Sequence, residues 1–118
     1  MTHTTLKNLL AKAKADVPNI TCQEYRDARA ENKPHVLIDV REKEEFDAGH
    51  IEGAIHIPRG FLEFKIEQSV PDTQTPIIVQ CASGGRAVLS GQTLLNLGYS
   101  HVQNLEGGYN EWLATSEA

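Results

Sequence analysis

The spacing of apolar and polar residues differs from one segment of the chain to the next, and it predicts helices that alternate with strands. Apolar residues recur at helical spacing over residues 5–17, and Pro18 ends that pattern. Thr21 and Glu24 have the spacing of a capping box, which predicts a second helix from there to about Glu31. Further helices are predicted over residues 41–49, 60–70, 86–98 and 107–116.

Apolar residues within two of these helices carry expectations about packing. Phe61, Phe64 and Ile66 are expected inside or near one face of the helix over residues 60–70. The amphipathic helix over residues 5–17 is expected to pack on the chain's own sheet, with the surface of a partner as the alternative.

Four short apolar segments, rich in β-branched residues, separate these helices and are predicted to be buried strands. They cover residues 35–40, 54–58, 76–80 and 101–105. Because such strands alternate with helices, we predict an α/β fold with a mostly parallel central sheet of about five short strands and helices on both faces. The carboxyl ends of these strands share one edge of the sheet, where ligands bind. Candidate site residues therefore follow strands: Asp39, Arg41, Arg59, residues 81–86 and residues 106–108.

Composition and charge narrow the class of protein. The 118 residues suit one domain, which can bury about two thirds of its unfolded surface. With 11 basic and 16 acidic residues the formal charge is −5, and no basic stripe is visible, so we expect no nucleic-acid or membrane partner. The chain has no run of eighteen apolar residues and no secretory segment, so we expect a cytoplasmic location.

The segment IIVQCASGGRAV, residues 77–88, places Cys81 where a predicted strand meets a glycine-rich turn and a helix. Gly84 and Gly85 let the backbone curl so that successive N–H groups turn inward, next to the positive end of the helix. Such a cradle stabilises a thiolate and holds an anion beside it, so we predict a nucleophile at Cys81. The alternative is a buried strand cysteine before an ordinary turn. Arg86 either binds a sulfonate or phosphate, or clamps the loop through a carboxylate.

The second cysteine, Cys22, is the other candidate thiol. Cys22 is the first residue of a capped helix, and this position partly stabilises a thiolate. No glycine-rich loop surrounds it, however, so a structural role is expected. In a reducing compartment Cys22 and Cys81 are expected as free thiols. A disulfide between them is the alternative, and it requires their Cα atoms to lie within about 7 Å.

The C-x-x-G-x-R pattern and its surroundings resemble the rhodanese homology domain. Three segments occur in the family's order: LIDVREKEEFDAGHIEGAIHIP, IIVQCASGGRA and LLNLGYSHVQNLEGGYNEW. The resemblance covers about residues 18–115. We therefore expect a single rhodanese-like domain over residues 1–118, in which residues 1–17 form a helical extension of the family core.

The resemblance implies a sulfurtransferase activity of the thiosulfate type, which needs no metal or organic cofactor. By this resemblance Cys81 attacks a sulfane sulfur donor, becomes a persulfide, and passes the sulfur to an acceptor such as cyanide or a thiol. The loop residues implied to supply N–H donors and to bind substrate are Ala82, Ser83, Gly84, Gly85 and Arg86. The implied partners are a small anionic donor, a thiol acceptor and a persulfide-bearing protein.

The length of this loop separates two chemistries. Protein tyrosine phosphatases and the rhodanese-fold cell-cycle phosphatases have a C-x5-R pattern, whereas Cys81 and Arg86 are separated by four residues. A smaller ring around the sulfur fits a persulfide but not a phosphoryl group with three equatorial oxygens. We therefore expect negligible phosphatase activity.

Charged residues at the predicted edge have both structural and functional interpretations. Asp39 ends a buried strand, so it is expected to pair with an arginine, first Arg86 and second Arg41, or to accept N–H bonds, and a structural clamp is favoured over direct catalysis. Arg41 and Arg59 are expected to project from the edge, where either binds a donor's sulfonate or is a solvated surface charge.

Two further features near this edge are expected to be structural. His50 matches a position of the family motif, and a hydrogen bond that holds its own loop is favoured over proton transfer. Gly107 and Gly108 are expected to let the chain turn closely past the reactive edge.

Two functions from different classes follow. The first is an enzyme, a sulfurtransferase that uses a Cys81 persulfide. The second is a persulfide carrier or partner-docking module with little turnover of its own. The loop has no lysine or second arginine between Cys81 and Arg86, so thiosulfate is expected to be a poor donor, and slow turnover of thiosulfate would favour the carrier function. The acidic segment EKEEFD, residues 42–47, either steers a basic partner or is a solvated helix face.

Overall fold

The computed structural model describes residues 4–116, and within them it has six α-helices and five strands. The helices are α1 (Leu6–Asp16), α2 (Cys22–Ala30), α3 (Lys43–Ala48), α4 (Leu62–Ser69), α5 (Gly85–Asn96) and α6 (Gly108–Ala114), with a short 3-10 helix (Arg59–Phe61) before α4. The strands are β1 (Asn19–Ile20), β2 (Val36–Asp39), β3 (Ile55–His56), β4 (Ile77–Gln80) and β5 (Val102–Leu105).

The strands form one sheet in the order β1-β5-β4-β2-β3, and every neighbouring pair is parallel. The predicted α/β fold with a parallel sheet is therefore confirmed. β4 is the central strand, and its last residue Gln80 lies opposite Asp39 of β2. Because all strands run the same way, their carboxyl ends share one edge, and Cys81 follows the strand in the middle of that edge.

The apolar pattern did not predict β1. This strand has two residues, and they pair with Asn104 and Leu105 of β5. A segment of two residues has no alternation that a pattern could detect, and Pro18 before it indicates only the end of a helix. β1 exists because β5 offers a free edge, which is a tertiary condition.

Apolar side chains point alternately to the two faces of the sheet and build two clusters. Ile38 faces the layer formed by α1, α4 and α5, whereas Leu37 faces the layer formed by α2 and α6. Helices therefore cover both faces, as predicted. Cys81 belongs to the first cluster and Cys22 to the second, and both are free thiols.

Local signals in the sequence correctly set the start of α2. The Thr21 side chain accepts the N–H of Glu24 at 3.0 Å, and the Glu24 carboxylate accepts the N–H of Thr21 at 2.8 Å. This reciprocal capping box satisfies two N–H groups that the helix itself leaves without partners.

Helix α1 packs on the fold of its own chain. Its residue Ala13 and the following Val17 are both buried in the first cluster. A Cβ on Gly91 of α5 would lie 2.9 Å from Val17 Cγ1, so the absence of a side chain there permits the close approach of α1 and α5. The helix therefore packs on its own chain rather than on a partner, as expected, but it lies mainly against α5 of the layer that covers the sheet instead of directly on the sheet.

The expected burial of Phe61 and Phe64 is wrong. Their side chains are 54% and 84% exposed, whereas Ile66 is buried. The 3-10 helix over Arg59–Phe61 changes the phase of the chain, so α4 begins at Leu62 and buries Leu62 and Ile66, which are one helical turn apart. Among residues 4–116, no helix is long and apolar enough to cross a membrane.

Candidate active site

Cys81 lies at the base of a loop that joins β4 to α5. Its side chain is 1% exposed, and its Sγ accepts the N–H of Gly84 at 3.1 Å and that of Ala87 at 3.3 Å. Gly84 has a φ of 112°, a left-handed conformation that favours glycine, and it caps the start of α5. The sulfur therefore sits against the positive end of a helix with two backbone donors directed at it.

The structure assigns the N–H donors differently from the expectation for residues 82–86. Within that segment Gly84 donates to Sγ, and the second donor, Ala87, belongs to the first turn of α5. Gly85 and Arg86 are the first two residues of α5, so their N–H groups have no carbonyl partner inside the helix. Ala82 is half-buried, and Ser83 is exposed.

Helix α6 supports the back of this loop. Tyr109 N–H donates to the Cys81 carbonyl at 2.8 Å, and Asn110 N–H donates to the Ala82 carbonyl at 3.0 Å. A Cβ on Gly108 would lie only 2.3 Å from the Cys81 carbonyl oxygen, so this contact requires glycine. The chain therefore turns closely past the loop at Gly107 and Gly108, as predicted.

Gln80 donates a second hydrogen bond to the Cys81 carbonyl. This side chain is completely buried in β4, and its Nε2 donates to the Cys81 carbonyl oxygen at 2.8 Å. With the N–H of Tyr109 on the same oxygen, the peptide that follows Cys81 is held in one orientation. The loop around the sulfur is thus organised before any substrate arrives.

Arg86 pairs with Glu45 of α3, and the expectation that it pairs with Asp39 is wrong. Arg86 Nη1 donates to Glu45 Oε1 at 2.7 Å and Nη2 donates to Oε2 at 3.0 Å. The hydrogen bond from Arg86, followed by one from the Glu42 N–H, lowers the pKa of Glu45 to about 2. Arg86 therefore clamps its loop through a carboxylate, which was one of the two roles proposed for it.

The pKa of Arg86 is affected by both Glu45 and Cys81. The hydrogen bond to Glu45 is the first cause that raises the pKa of Arg86 above its ordinary value, and a negative charge on Cys81 acts in the same direction. The guanidinium thus lies within electrostatic reach of the sulfur while it remains bound to Glu45.

Asp39 pairs with Arg41, the second of its two expected partners. Arg41 Nη2 donates to Asp39 Oδ2 at 2.8 Å, and the Arg41 backbone N–H donates to Asp39 Oδ1 at 3.0 Å. Arg41 also donates to the Gly49 carbonyl at 2.8 Å, and its guanidinium carbon lies 4.4 Å from the centre of the Tyr109 ring. The expectation that Arg41 projects from the edge is wrong, because only 4% of the residue is exposed.

Arg59 follows β3 at the same edge, but its guanidinium is engaged by neighbouring helices. Nη1 donates to Glu63 of α4 at 2.9 Å, and Nη2 donates to Thr93 of α5 at 3.1 Å. These contacts tie α4 to α5. Arg59 is therefore half-buried and paired, in contrast to a freely projecting anion ligand.

His50 lies at the end of α3 and makes a local contact. Its Nδ1 donates to the Phe46 carbonyl at 3.0 Å, and its ring stacks on Phe46 with 3.7 Å between the ring centres. His56, which the sequence analysis did not single out, also stacks on the ring of Phe46. Its Nε2 donates to the Arg41 carbonyl at 2.8 Å. The two histidines hold the segment after β2 rather than contact Cys81.

Comparison with known proteins decides the family. The family described as "Rhodanese-like domain" matches residues 21–115 of the chain. The chain belongs to the rhodanese-like domain family. Human single-domain sulfurtransferase TSTD1 is similar to it, with a TM-score of 0.76 and 31% identity over 86% of this chain and 99% of that one.

Two further relatives show the range of functions assigned to this fold. Protein RPA3614 of Rhodopseudomonas palustris, of unknown function and described as a possible tyrosine phosphatase, has a TM-score of 0.82 and 25% identity over 97% of this chain and 95% of that one. The putative sulfur carrier protein YrkF of Bacillus subtilis is 28% identical over 87% of this chain and 55% of that protein.

The rhodanese-like domain described here is shorter than its curated relatives. The chain spans 23% to 65% of the lengths of the curated relatives compared with it. What those longer proteins do as a whole therefore bears on this chain only as a proposal.

Glu45 is the site residue that sequence reasoning missed, although a signal for it was present. It occupies the acidic position of the DVR-x-x-x-E segment, and it stands three residues after Glu42 in a capping arrangement, where it accepts the Glu42 N–H at 3.0 Å. Neither fact indicates that its carboxylate also reaches Arg86, which is 41 residues away along the chain.

Cys22 lies in a structural environment, as expected. It is buried, and its Sγ contacts the Glu106 carbonyl oxygen at 3.7 Å. Burial raises the pKa of the Cys22 thiol above its ordinary value, against the opposing effect of the Arg26 cation. Within residues 4–116, no three histidine, cysteine or acidic side chains are grouped as a metal site would require.

Proposed function

We propose that this rhodanese-like domain is a sulfurtransferase that moves a sulfane sulfur from thiosulfate or a persulfide to a thiol or cyanide through a persulfide on Cys81. The observation that carries the proposal is the position of the Cys81 Sγ, which accepts the N–H groups of Gly84 and Ala87 at the start of α5. Backbone donors of this kind stabilise both a thiolate and a persulfide anion.

The transfer takes place in two steps. The Cys81 thiolate attacks the outer sulfur of the donor, the Cys81 S–S bond forms, and the old bond breaks with its electron pair leaving on the donor remainder. The acceptor nucleophile then attacks the outer sulfur of the persulfide, and the electron pair of the breaking S–S bond restores the Cys81 thiolate. The chain contributes a nucleophile and a preorganised loop, and neither step needs an oxidant.

The partners in this proposal are a small sulfur donor and a thiol acceptor, with a persulfide-bearing protein as a further donor or acceptor. The setting that we propose for this reaction is a reducing compartment such as the cytoplasm, in which Cys22 and Cys81 would stay free thiols.

The test is thiocyanate formation from thiosulfate and cyanide, with mass spectrometry of the protein after exposure to the donor. Wild type is expected to gain the mass of one sulfur atom on Cys81, and Cys81→Ser is expected to lose both the adduct and the turnover. Cys22→Ala is the matched control, and it is expected to retain both. Equal turnover in wild type and Cys81→Ser would show that Cys81 does not carry the sulfur.

A second candidate function is that of a persulfide carrier with little turnover of its own. The observation that favours it is the burial of Cys81, together with the engagement of Arg86 by Glu45, which leaves thiosulfate without a free guanidinium in the loop. The relative YrkF, which is described as a putative sulfur carrier protein, is consistent with this second function. Slow thiosulfate turnover combined with fast exchange of sulfur with a persulfidated protein would favour this function.

Phosphatase activity is the function that the loop opposes, although RPA3614 is described as a possible tyrosine phosphatase. Four residues separate Cys81 from Arg86, and the Arg86 guanidinium is bound to Glu45. A phosphoryl group needs N–H and guanidinium donors for three equatorial oxygens. Hydrolysis of an aryl phosphate that disappears in Cys81→Ser would contradict this expectation.

A further inference from the structure

Each of the three arginines that follow strands at the edge around Cys81 is paired with a carboxylate. The pairs are Arg41 with Asp39, Arg59 with Glu63, and Arg86 with Glu45. The cations that would attract a doubly charged donor are therefore neutralised by the chain itself. The chain as a whole adds to this effect, because its formal charge is −5.

The pair that includes the segment following Cys81 is the one between Arg86 and Glu45. Arg86 follows Cys81 by five residues, and both oxygens of Glu45 accept hydrogen bonds from its guanidinium. The side chains of Arg86 and Glu45 are 39% and 35% exposed, so the pair borders solvent at the loop. Glu45 is thus a fixed negative charge beside the path of an arriving donor.

The charge of the donor determines how much this matters. Thiosulfate carries two negative charges and must approach a thiolate that carries a third. The N–H groups of Gly84 and Ala87 offer partial positive charges only. A donor with one negative charge, or none, meets about half of this repulsion or less, because the electrostatic energy is proportional to the donor's charge.

We propose that Glu45 is a specificity-determining residue that, by neutralising Arg86, directs this site away from thiosulfate and toward sulfane sulfur donors of lower charge, such as thiosulfonates and thiol persulfides. The proposal rests on the proposed transfer through Cys81. Glu45 acts on the donor through Arg86 and through its own charge, and it takes no part in bond making.

Two donors of similar shape separate charge from the other properties of the donor. With thiosulfate, the Cys81 thiolate takes the outer sulfur and sulfite leaves with the electron pair of the broken S–S bond. With methanethiosulfonate, in which a methyl group replaces one charged oxygen, the same bond forms and methanesulfinate leaves. Both reactions convert the Cys81 thiolate into the same persulfide anion, so the loading rate reports on the donor alone.

The experiment measures kcat/KM for persulfide loading with each donor in wild type and Glu45→Gln. Glutamine keeps the shape of the side chain and an oxygen for the Glu42 N–H, but it removes the negative charge and weakens the hold on Arg86. We expect kcat/KM to rise about tenfold for thiosulfate, mainly through KM, and about threefold for methanethiosulfonate, in proportion to their charges.

Matched variants show whether the effect belongs to this position. Glu44→Gln removes the same charge from an exposed neighbouring residue of α3 and is expected to change either rate by less than about twofold. Glu45→Asp keeps the negative charge, so it is expected to keep the preference of wild type for methanethiosulfonate, the donor with one negative charge. A looser loop that exposes the buried Cys81 would raise both rates by the same factor, so the larger gain with thiosulfate is the result specific to the proposed role.

The outcomes separate this proposal from the one on which it rests. If neither donor adds sulfur to Cys81, the proposed transfer itself is wrong. If both donors load Cys81 but Glu45→Gln lowers the thiosulfate rate, or raises both rates by the same factor, Glu45 does not select donors by charge and this inference is overturned.

Discussion

The buried ion pair of Asp39 and Arg41 connects segments of the chain that lie next to the candidate site. Both side chains are buried, with 0% and 5% of their surface exposed, at the carboxyl end of β2. The guanidinium satisfies both carboxylate oxygens and also reaches the Gly49 carbonyl. The pair thereby joins β2 to the chain after α3, next to the ring of Tyr109, whose backbone N–H donates to the Cys81 carbonyl.

Removing one member of this pair is expected to be strongly destabilising. Arg41→Ala leaves the buried Asp39 carboxylate without its cation and with the backbone N–H of residue 41 as its remaining donor, so we expect the free energy of unfolding to fall by about 3–5 kcal/mol. Urea unfolding followed by circular dichroism measures it. The exposed pair of Lys12 and Asp16 supplies the control, since Lys12→Ala is expected to cost less than about 1 kcal/mol. Similar losses in the two variants would contradict the role of the buried pair.

Glu45 also predicts a dependence of stability on acid. Its pKa in the folded protein is about 2, below the ordinary value of 4.5, so its stabilising effect is complete above about pH 4.5 and disappears as the pH falls toward 2. Glu45→Gln has no such group to protonate. Between pH 5 and 3, wild type is therefore expected to lose more unfolding free energy than Glu45→Gln, with urea denaturation as the measurement. Equal losses would show that the pair contributes nothing to folding.

Helix α6 acts as an element by holding the Cys81 loop from behind. Its first residues donate N–H groups to the carbonyls of Cys81 and Ala82, and Gly108 permits the approach. Helix α5 holds the other side, where its first turn faces the sulfur. The loop is thus fixed between the starts of two helices, and its geometry depends on both.

Substitution at Gly108 is expected to disrupt this arrangement. Gly108→Ala places a Cβ 2.3 Å from the Cys81 carbonyl oxygen at a φ of 61°, so the free energy of unfolding is expected to fall by about 2 kcal/mol or more, and alkylation of Cys81 is expected to change in rate. Gly60→Ala is the control, because its Cβ has open space and the backbone has no positive φ. A stable Gly108→Ala protein with wild-type Cys81 reactivity would contradict the close contact.

At the scale of the molecule, an acidic chain surrounds the site at which we propose that sulfur donors react. The formal charge of −5 is spread over a small domain, and helix α3 with its acidic side chains lies beside the Cys81 loop through the Glu45 contact. Long-range repulsion therefore adds to the local neutralisation of Arg86.

Salt is expected to relieve this repulsion. The rate constant for loading of Cys81 by thiosulfate is predicted to rise severalfold between about 10 and 150 mM ionic strength, and that for methanethiosulfonate to rise less. Stopped-flow or quenched mass measurements across a salt series determine both. A thiosulfate rate that falls with salt would mean that a cationic surface attracts the donor.

Much of the fold was accessible from the sequence because its signals are local. The capping box of Thr21 and Glu24 lies within four residues, and the apolar runs of β2 and β4 can be recognised in isolation. The Cys81 loop is likewise one continuous segment, so its strand, its glycines and its helix start could be predicted together. The burial of Phe64 was predicted wrongly because the 3-10 helix before α4 shifts the helical phase, and a periodic pattern does not indicate such a shift.

The sequence by itself determined the α/β architecture, the family and the position of Cys81 at a helix start, because each depends on contiguous residues. Only the tertiary structure decided which charges meet. Arg86 binds Glu45 rather than Asp39, and Gly108 touches the Cys81 peptide, because packing of α3 and α6 brings together segments that are distant along the chain. Several arginines compete for each carboxylate in the sequence, and side-chain reach in the folded protein selects among them.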